Sequence, residues 1–421
     1  MFRFLYLGVV FLFFRVEIWA QSNNSPYSSF GIGDLWEQGL SRNSGMAGVG
    51  IGLGSATGIN ALNPASYAHL QLTSIDLSLF YKYTNLKTLS RETALSTSGV
   101  QGLVLSFPAV KKGLGITIGV LPYSSVGYQV VKESRFLYGQ RTDSLLSSHS
   151  GEGGINDLFF GFAFKPLKRL SLGFNLSYLF GTINEYQTAS IIVPNSILTL
   201  YNQHNSYQGV KIHTGIQYHD TLKNGVLVRL GGVFTLPTTL YSTEMTILSL
   251  SQTSSQGIRS LLLDTLVNNL KSVVSVPPVI GFGVCFEKPN KFMLGIDGSV
   301  QNWSSSNLIN NSLKLQSSYR FKIGSEYVPD ATSRKFVKNI AYRIGAKYEQ
   351  TAFIINGISI SQMGFTFGFG LPVTRQSSRL NIGFEIGSRG TTEGGLIAEI
   401  YYQGYFGISF NERWFHRKKI E

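Results

Sequence analysis

From Ser74 onward the chain alternates apolar and polar residues over long stretches. Ile75, Leu77, Leu79, Tyr81 and Tyr83 share one parity, with Asp76, Ser78 and Lys82 on the other. The pattern returns at Leu158/Phe160/Phe162/Phe164, along Leu170–Phe180, at Val226/Val228/Leu230 and at Phe292/Leu294/Ile296. It recurs at Tyr319/Phe321/Ile323 and Leu380/Ile382/Phe384/Ile386, and closes at Ala398–Phe410. A period of two means strands with one apolar and one polar face. These segments reach about ten residues or more, the length of a tilted strand crossing a bilayer; strands of soluble sandwiches cluster near about 5–6. Short proline-bearing connectors (108–113, 166–169, 289–290, 329–339, 372–378) alternate with long ones (85–99, 132–155, 183–207, 239–277). Short turns at one end and long loops at the other mark an outer-membrane barrel. The expectation is an all-β transmembrane barrel of about 14 antiparallel strands over residues 73–410.

Two stretches depart from this regularity. The third strand carries Pro122-Tyr123-Ser124-Ser125, and a mid-strand proline gives no ladder donor, so a bulge or an edge is expected there. Gap formation at these four residues would open the wall sideways into lipid. Within the longest connector, Leu262, Leu266 and Leu270, with Leu263 and Val267, fit a helical period over 258–271. Such a helix would pack its stripe on the barrel mouth or present it to an apolar ligand.

Ahead of the strands, residues 1–20 read as an export leader. Arg3 precedes an apolar run over 4–14, with Ile18-Trp19-Ala20 as the cleavage site. Residues 21–72 lack any sustained period and are rich in Gly, Ser and Asn. Their centre, Gly45–Tyr67, holds Gly45-Met46-Ala47-Gly48 and then Asn63-Pro64-Ala65. Its Gly48-x-Gly50-x-Gly52 run has no strand–turn–helix context, so it is not a dinucleotide loop. Glycine permits close backbone approach, and the expectation is a plug inside the barrel, with a gating role for Gly45, Met46, Gly48, Asn63, Pro64 and Ala65.

The polar parity also carries Arg229, Asp297, Arg320, Lys322, Glu326, Arg343, Lys347, Glu385 and Glu399. A dry core would bury each at several kcal/mol, whereas a barrel lumen accepts them. An ion-pair network fixing the plug is the expected use. The net charge of +13 gathers in the short turns and the tail over 411–421, which suits anionic lipid headgroups and leaves no role for nucleic acid. One cysteine, Cys285, permits no internal disulfide. No metal-ligand spacing or nucleophile elbow is present, so neither an enzyme nor a cofactor is expected.

The chain resembles the FadL family of outer-membrane transporters for long-chain fatty acids and other hydrophobic compounds. Gly45-Met46-Ala47-Gly48, Asn63-Pro64-Ala65 directly before the first strand, Pro122 in the third strand, the Leu262–Leu270 stretch and Asp297…Trp303 carry this resemblance. It implies a fourteen-stranded barrel of a Gram-negative outer membrane, closed by an N-terminal hatch. Passive uptake of a hydrophobic ligand is then the expected function. Capture would occur at Leu262, Leu266 and Leu270, with lateral exit at strand three. The alternative is a non-transporting barrel that serves as a structural subunit of an outer-membrane protein complex in secretion or assembly machinery.

Overall fold

A computed structural model describes residues 25–37, 39–110, 113–139, 141–193, 196–254, 257–304, 314–333, 335–373 and 378–413. The expected leader and most of the basic tail lie outside the described residues. The fold is a closed fourteen-stranded antiparallel barrel. Its strands are β1 (Thr73–Lys87), β2 (Glu92–Val110), β3 (Leu114–Tyr138), β4 (Arg141–Leu167), β5 (Leu170–Ile191) and β6 (Ile197–Thr221). They continue with β7 (Leu227–Thr235 and Thr238–Ser254), β8 (Gly257–Val276 and Val279–Lys288), β9 (Phe292–Asn302) and β10 (Lys314–Leu315 and Ser317–Tyr327). The last four are β11 (Ala341–Ile355), β12 (Ile358–Pro372), β13 (Arg379–Arg389) and β14 (Ala398–Glu412). Closure comes from β14 against β1, in register from Ala398↔Lys87 to Glu412↔Thr73.

Parity decides which face each residue takes. On β4, Asp157, Phe159 and Ala163 are buried while Leu158, Phe160, Phe162 and Phe164 are exposed on the outer face. That outer band meets lipid, and the inner parity meets the plug.

The connectors expected as long loops are strands instead. β3, β4, β5 and β6 run for 25, 27, 22 and 25 residues, far beyond the roughly ten that a crossing needs. Together with the upper parts of β7 and β8 they form a collar above one side of the barrel. Their Ser- and Thr-rich upper halves have polar residues on both faces, so no period was visible. The helix expected over 258–271 is likewise strand, paired with β7 from Gly257↔Ser254 to Val276↔Thr238. Leucines at 262, 266 and 270 are spaced by four, which satisfies a period of two as well as 3.6. Three register shifts, at Ser260/Leu262, Thr265/Val267 and Val267/Leu270, break the parity that would have revealed the strand. Leu262, Leu266 and Leu270 are all exposed.

Glycine is placed systematically. From β2 to β14, every strand sets a glycine against the N-terminal segment. Gly102 faces Leu40, Gly115 and Gly161 face Tyr67, Gly173 faces Pro64 and Ala65, and Gly215 faces Asn63. Gly231 faces Ile51, Gly283 faces Gly52, Gly295 faces Val49, Gly324 and Gly345 face Met46, Gly368 and Gly383 face Gly45, and Gly407 faces Ser41. A β-carbon added at Gly324 would lie 2.5 Å from the Met46 carbonyl oxygen, and one at Gly283 would lie 2.7 Å from the Gly52 nitrogen. At Gly115, Gly173, Gly231, Gly283, Gly324, Gly345, Gly368 and Gly383 hatch backbone touches wall backbone, an approach only glycine allows, and at the other strands the glycine makes room for a hatch side chain. Gly324→Ala should therefore lower stability by about 1–3 kcal/mol, the usual cost of overpacking. A thermal or denaturant melt of the folded barrel checks this against the outward Gly298→Ala, where the nearest atom is 3.7 Å away.

Candidate functional site: the plugged lumen and the parting beside β3

The N-terminal segment folds as a string of short turns held by its own polar side chains. Asn63 caps the 3-10 turn Pro64–His69: its side-chain oxygen accepts from the Ala65 N–H at 3.0 Å, and Pro64 occupies the position that needs no donor. The same Asn63 donates from Nδ2 to the Ile51 carbonyl at 2.7 Å. The Asn-Pro-Ala motif thus ties both ends of the glycine loop together. Ala47 and Gly48 both take positive φ, 55° and 77°, turning the chain so that the next amides point outward. The Gly50 and Ile51 N–H groups donate to Asp297 Oδ2 at 2.6 and 2.9 Å. The glycine run does cradle an anion, and that anion is a carboxylate of the wall.

Most of the other charges named from sequence also meet the hatch or one another. Arg42 of the hatch reaches Glu326 at 3.0 Å, and Arg343 takes the other oxygen of Glu326 at 2.7 Å. Lys322 binds Glu37 at 2.9 Å. Glu399 accepts from the Ser25 hydroxyl at 2.5 Å. Lys347 pairs with Glu385 at 2.8 Å, and both carboxylate oxygens of Glu385 also accept from Tyr401 and Tyr405 at 2.7 Å. Arg320 pairs with Glu349 at 2.9 Å within the wall, and Arg229 pairs with Glu287 at the short-turn end.

Sequence reasoning missed several members of this network. Arg389 grips Asp34 with two hydrogen bonds of 2.8 Å, and Lys211 forms a buried pair with Asp157. Inward parity on β4 and β6 locates that second pair, whereas Arg389 is the last residue of β13, where the alternation gives out.

Glu37 gives the plug a pH signature. Burial alone would raise its carboxyl, but Lys322, Lys347 and Arg320 outweigh that and draw it from the ordinary 4.5 down to about 2. A depressed carboxylate stabilises the folded state above its ordinary value and loses that contribution as pH falls through the lower one. Hatch docking should therefore weaken between about pH 4.5 and about pH 2. Glu37→Gln should flatten this limb in a series of melts at stepped pH.

Beside β3 the wall parts. The β2–β3 ladder runs from Val110↔Leu114 to Leu103↔Val120 and goes no further, although both strands continue upward. Pro122 sits two residues above that end, and a bulge between Pro122 and Ser124 shifts the pairing with β4. The hatch takes the place of the missing partner. Asp34 and Leu35 pair with Ser125 and Ser124, and Trp36 N–H donates to the Tyr123 carbonyl at 2.9 Å. The Ser25 N–H donates to the Gly127 carbonyl at 2.9 Å. Trp36 bonds the Ser125 hydroxyl at 2.9 Å and packs on Phe80 with ring centres 4.6 Å apart. Behind this seam lies a cavity of about 170 Å³ whose lining includes Trp36, Lys82, Gln101, Lys347, Glu385 and Arg389. Its walls mix these charged and polar groups with apolar ones, among them Phe30, Ile32, Leu35, Trp303 and Phe353. Above it, Ile32 of the hatch joins Val126, Ile155, Leu179, Ile183 and Trp303 in an apolar cluster.

The three groups of expected site residues are therefore placed as follows. The hatch set lies inside the girdle, Pro122–Ser125 lie at the parting, and Leu262, Leu266 and Leu270 lie on an exposed collar strand, not a capture helix.

A barrel of this strand number with this hatch has the fold of the hydrophobic-compound channels of bacterial outer membranes. It superposes on the CymD monoaromatic hydrocarbon channel with a TM-score of 0.56 at 14% identity, covering 91% of this chain and 100% of that one. The toluene transporter TodX of P. putida gives 0.56 at 14%, with the same coverage. A Pseudomonas aeruginosa FadL homologue gives 0.55 at 11%, covering 90% and 98%. By sequence the chain belongs to the BamG family, whose model matches residues 1–421. The FadL resemblance thus holds for the fold, while the family is BamG. No curated protein matches the chain.

Proposed function

We propose that this protein is a closed barrel of the Gram-negative outer membrane that works as a structural subunit of a membrane protein complex. The glycine girdle carries this reading. A solute passing the lumen must displace a hatch that touches every strand from β2 to β14 and is bound by five barrel carboxylates and cations: Asp297, Glu326, Lys322, Arg389 and Glu399. The cavity beside the seam sets Lys82, Lys347, Glu385 and Arg389 among its apolar residues, so a hydrophobic solute crossing it would have to pass charged groups. The expected capture helix is an exposed β-strand. Membership of the BamG family, set beside fold likeness alone to the channels, points the same way.

The parting beside β3 favours a second reading, passive entry of a hydrophobic compound with lateral exit into the bilayer. There an unpaired β3 edge would be costly in lipid without its hatch partner. One experiment separates the two. Proteoliposomes of the purified chain should admit a fluorescent hydrophobic probe no faster than empty liposomes, and native membranes should yield the chain in a larger stable species. Saturable probe entry through the purified chain alone, with no such species, would move the conclusion to the channel.

A further inference from the structure

Below the hatch, at the short-turn end, the lumen opens into a cup of about 550 Å³. Six cations line it: Arg42, Arg229, Lys288, Lys291, Arg343 and Arg379. Among the described residues only two carboxylates, Glu287 and Glu326, line it with them, a formal excess of four positive charges. The two carboxylates are already shared, Glu326 between Arg42 and Arg343, and Glu287 with Arg229. Among the described residues, Arg379 donates only to the Asn339 side chain and to the Asn339 and Gly370 carbonyls. Arg229 is 8% exposed, and its Nε has no acceptor among the described residues. A buried guanidinium donor left open is unusual, because buried charged groups are normally satisfied.

We infer that this cup binds an acidic polypeptide segment of a partner, entering along the barrel axis from the periplasm. The inference rests on the reading of the chain as a complex subunit. The cations come from the hatch and from strands on several sides of the cup, so one small anion cannot meet them all. A chain carrying several carboxylates can. Lipid headgroups share the negative charge but lie outside the wall, whereas Arg42 belongs to the hatch and Arg229, Arg343 and Arg379 take the inward parity of their strands, with Lys288 and Lys291 at the turn on the rim of the cup. The floor is the hatch loop 53–58, whose turn is closed by the Gly58 and Thr57 N–H groups on Ser55 Oγ at 2.9 and 3.3 Å. A bound segment would therefore press on the hatch directly. Electrostatic recognition of this kind is weakened by salt over a Debye length of about 8 Å at physiological ionic strength.

The test uses the full chain in nanodiscs of zwitterionic lipid and a fluorescent peptide of alternating Glu and Ser. Anisotropy should report saturable binding that weakens as salt rises. Lys288→Glu with Lys291→Glu, both at exposed positions, should weaken it about tenfold or more. Lys168→Glu with Lys223→Glu, on exposed turns that do not line the cup, should leave it within about twofold. Inorganic phosphate at matched charge should compete poorly, and adding anionic lipid to the disc should not displace the peptide. Absence of binding, equal loss in both double variants, or displacement by anionic lipid would overturn the inference. The conductance and probe-entry results do not depend on this outcome, so its failure leaves the closed-barrel reading to its own experiment.

Discussion

Removing residues 25–70 should turn a silent barrel into an open pore. In planar bilayers the intact chain should give a quiet baseline, and the deletion should give discrete ohmic steps. Strand number supports this. About eight strands leave a lumen that side chains can fill, while 16–18 leave an aqueous channel. Fourteen strands fall near the upper case. The wall also does not fill its own lumen at the girdle, since the inward positions there are glycines from Gly102 on β2 to Gly407 on β14. Hatch atoms occupy that space instead: Tyr67, Asn63, Ile51, Met46 and Ser41. Heat-modifiable migration on gels would establish that the deleted barrel is folded. A folded deletion with the same silent baseline would mean that the lumen is closed by something other than the hatch.

The second large effect is expected at Glu326. Its two oxygens hold Arg42 of the hatch at 3.0 Å and Arg343 of the wall at 2.7 Å. Arg343 is also the donor to Asn381 at 2.8 Å. Glu326→Gln keeps the shape but leaves two guanidinium groups without a carboxylate. Breaking a fully buried pair in this way costs about 3–5 kcal/mol, and the loss here falls below that because Arg42 and Glu326 are only partly buried where they face the cup. The loss should appear as a lower denaturant midpoint and as protease cleavage within 40–58, because Arg42 anchors the hatch beside that stretch. A double variant with Arg42→Gln should recover part of the loss, because one uncompensated charge is then removed. If Glu326→Gln melts like the wild type and the hatch stays protected, the triad does not hold the plug.

How much of this could be read from the chain follows from which signals parity carries. Wherever lipid faces one side and the plug the other, alternation is strict, as along Leu158–Phe164, and both strand and face could be assigned. Above the membrane both faces are wet, and residues such as those over 141–152 carry no alternation, so the sequence predicts loops where the collar strands stand. The leucines at 262, 266 and 270 fit two periods at once, and bulges removed the cue that separates them. The lumen charges were legible because only a barrel tolerates them. Their partners were not, because Glu37, Arg42 and Asp34 sit in a segment without periodicity. Abundant glycine signalled close approach, yet only the register of neighbouring strands sets Gly173 opposite Gly215, Gly231 opposite Gly283, and Gly324 opposite both Gly295 and Gly345. The break above Val120 was foreshadowed by Pro122. That the hatch itself supplies the missing strand had no trace in composition, because two residues, Asp34 and Leu35, make the bridge.

Locking the hatch to the wall tests most directly whether this barrel works closed. Ser41 N–H donates to Ser78 Oγ at 3.0 Å, so cysteines at these two positions, in a Cys285→Ser background, are placed to join hatch and β1. The locked chain would replace the natural copy in cells, with the cross-link verified by mobility on non-reducing gels. A barrel that works closed predicts unchanged growth and an intact native complex, with or without reductant. Loss of function on oxidation that reductant restores would show that the hatch must move, and would contradict a closed structural subunit.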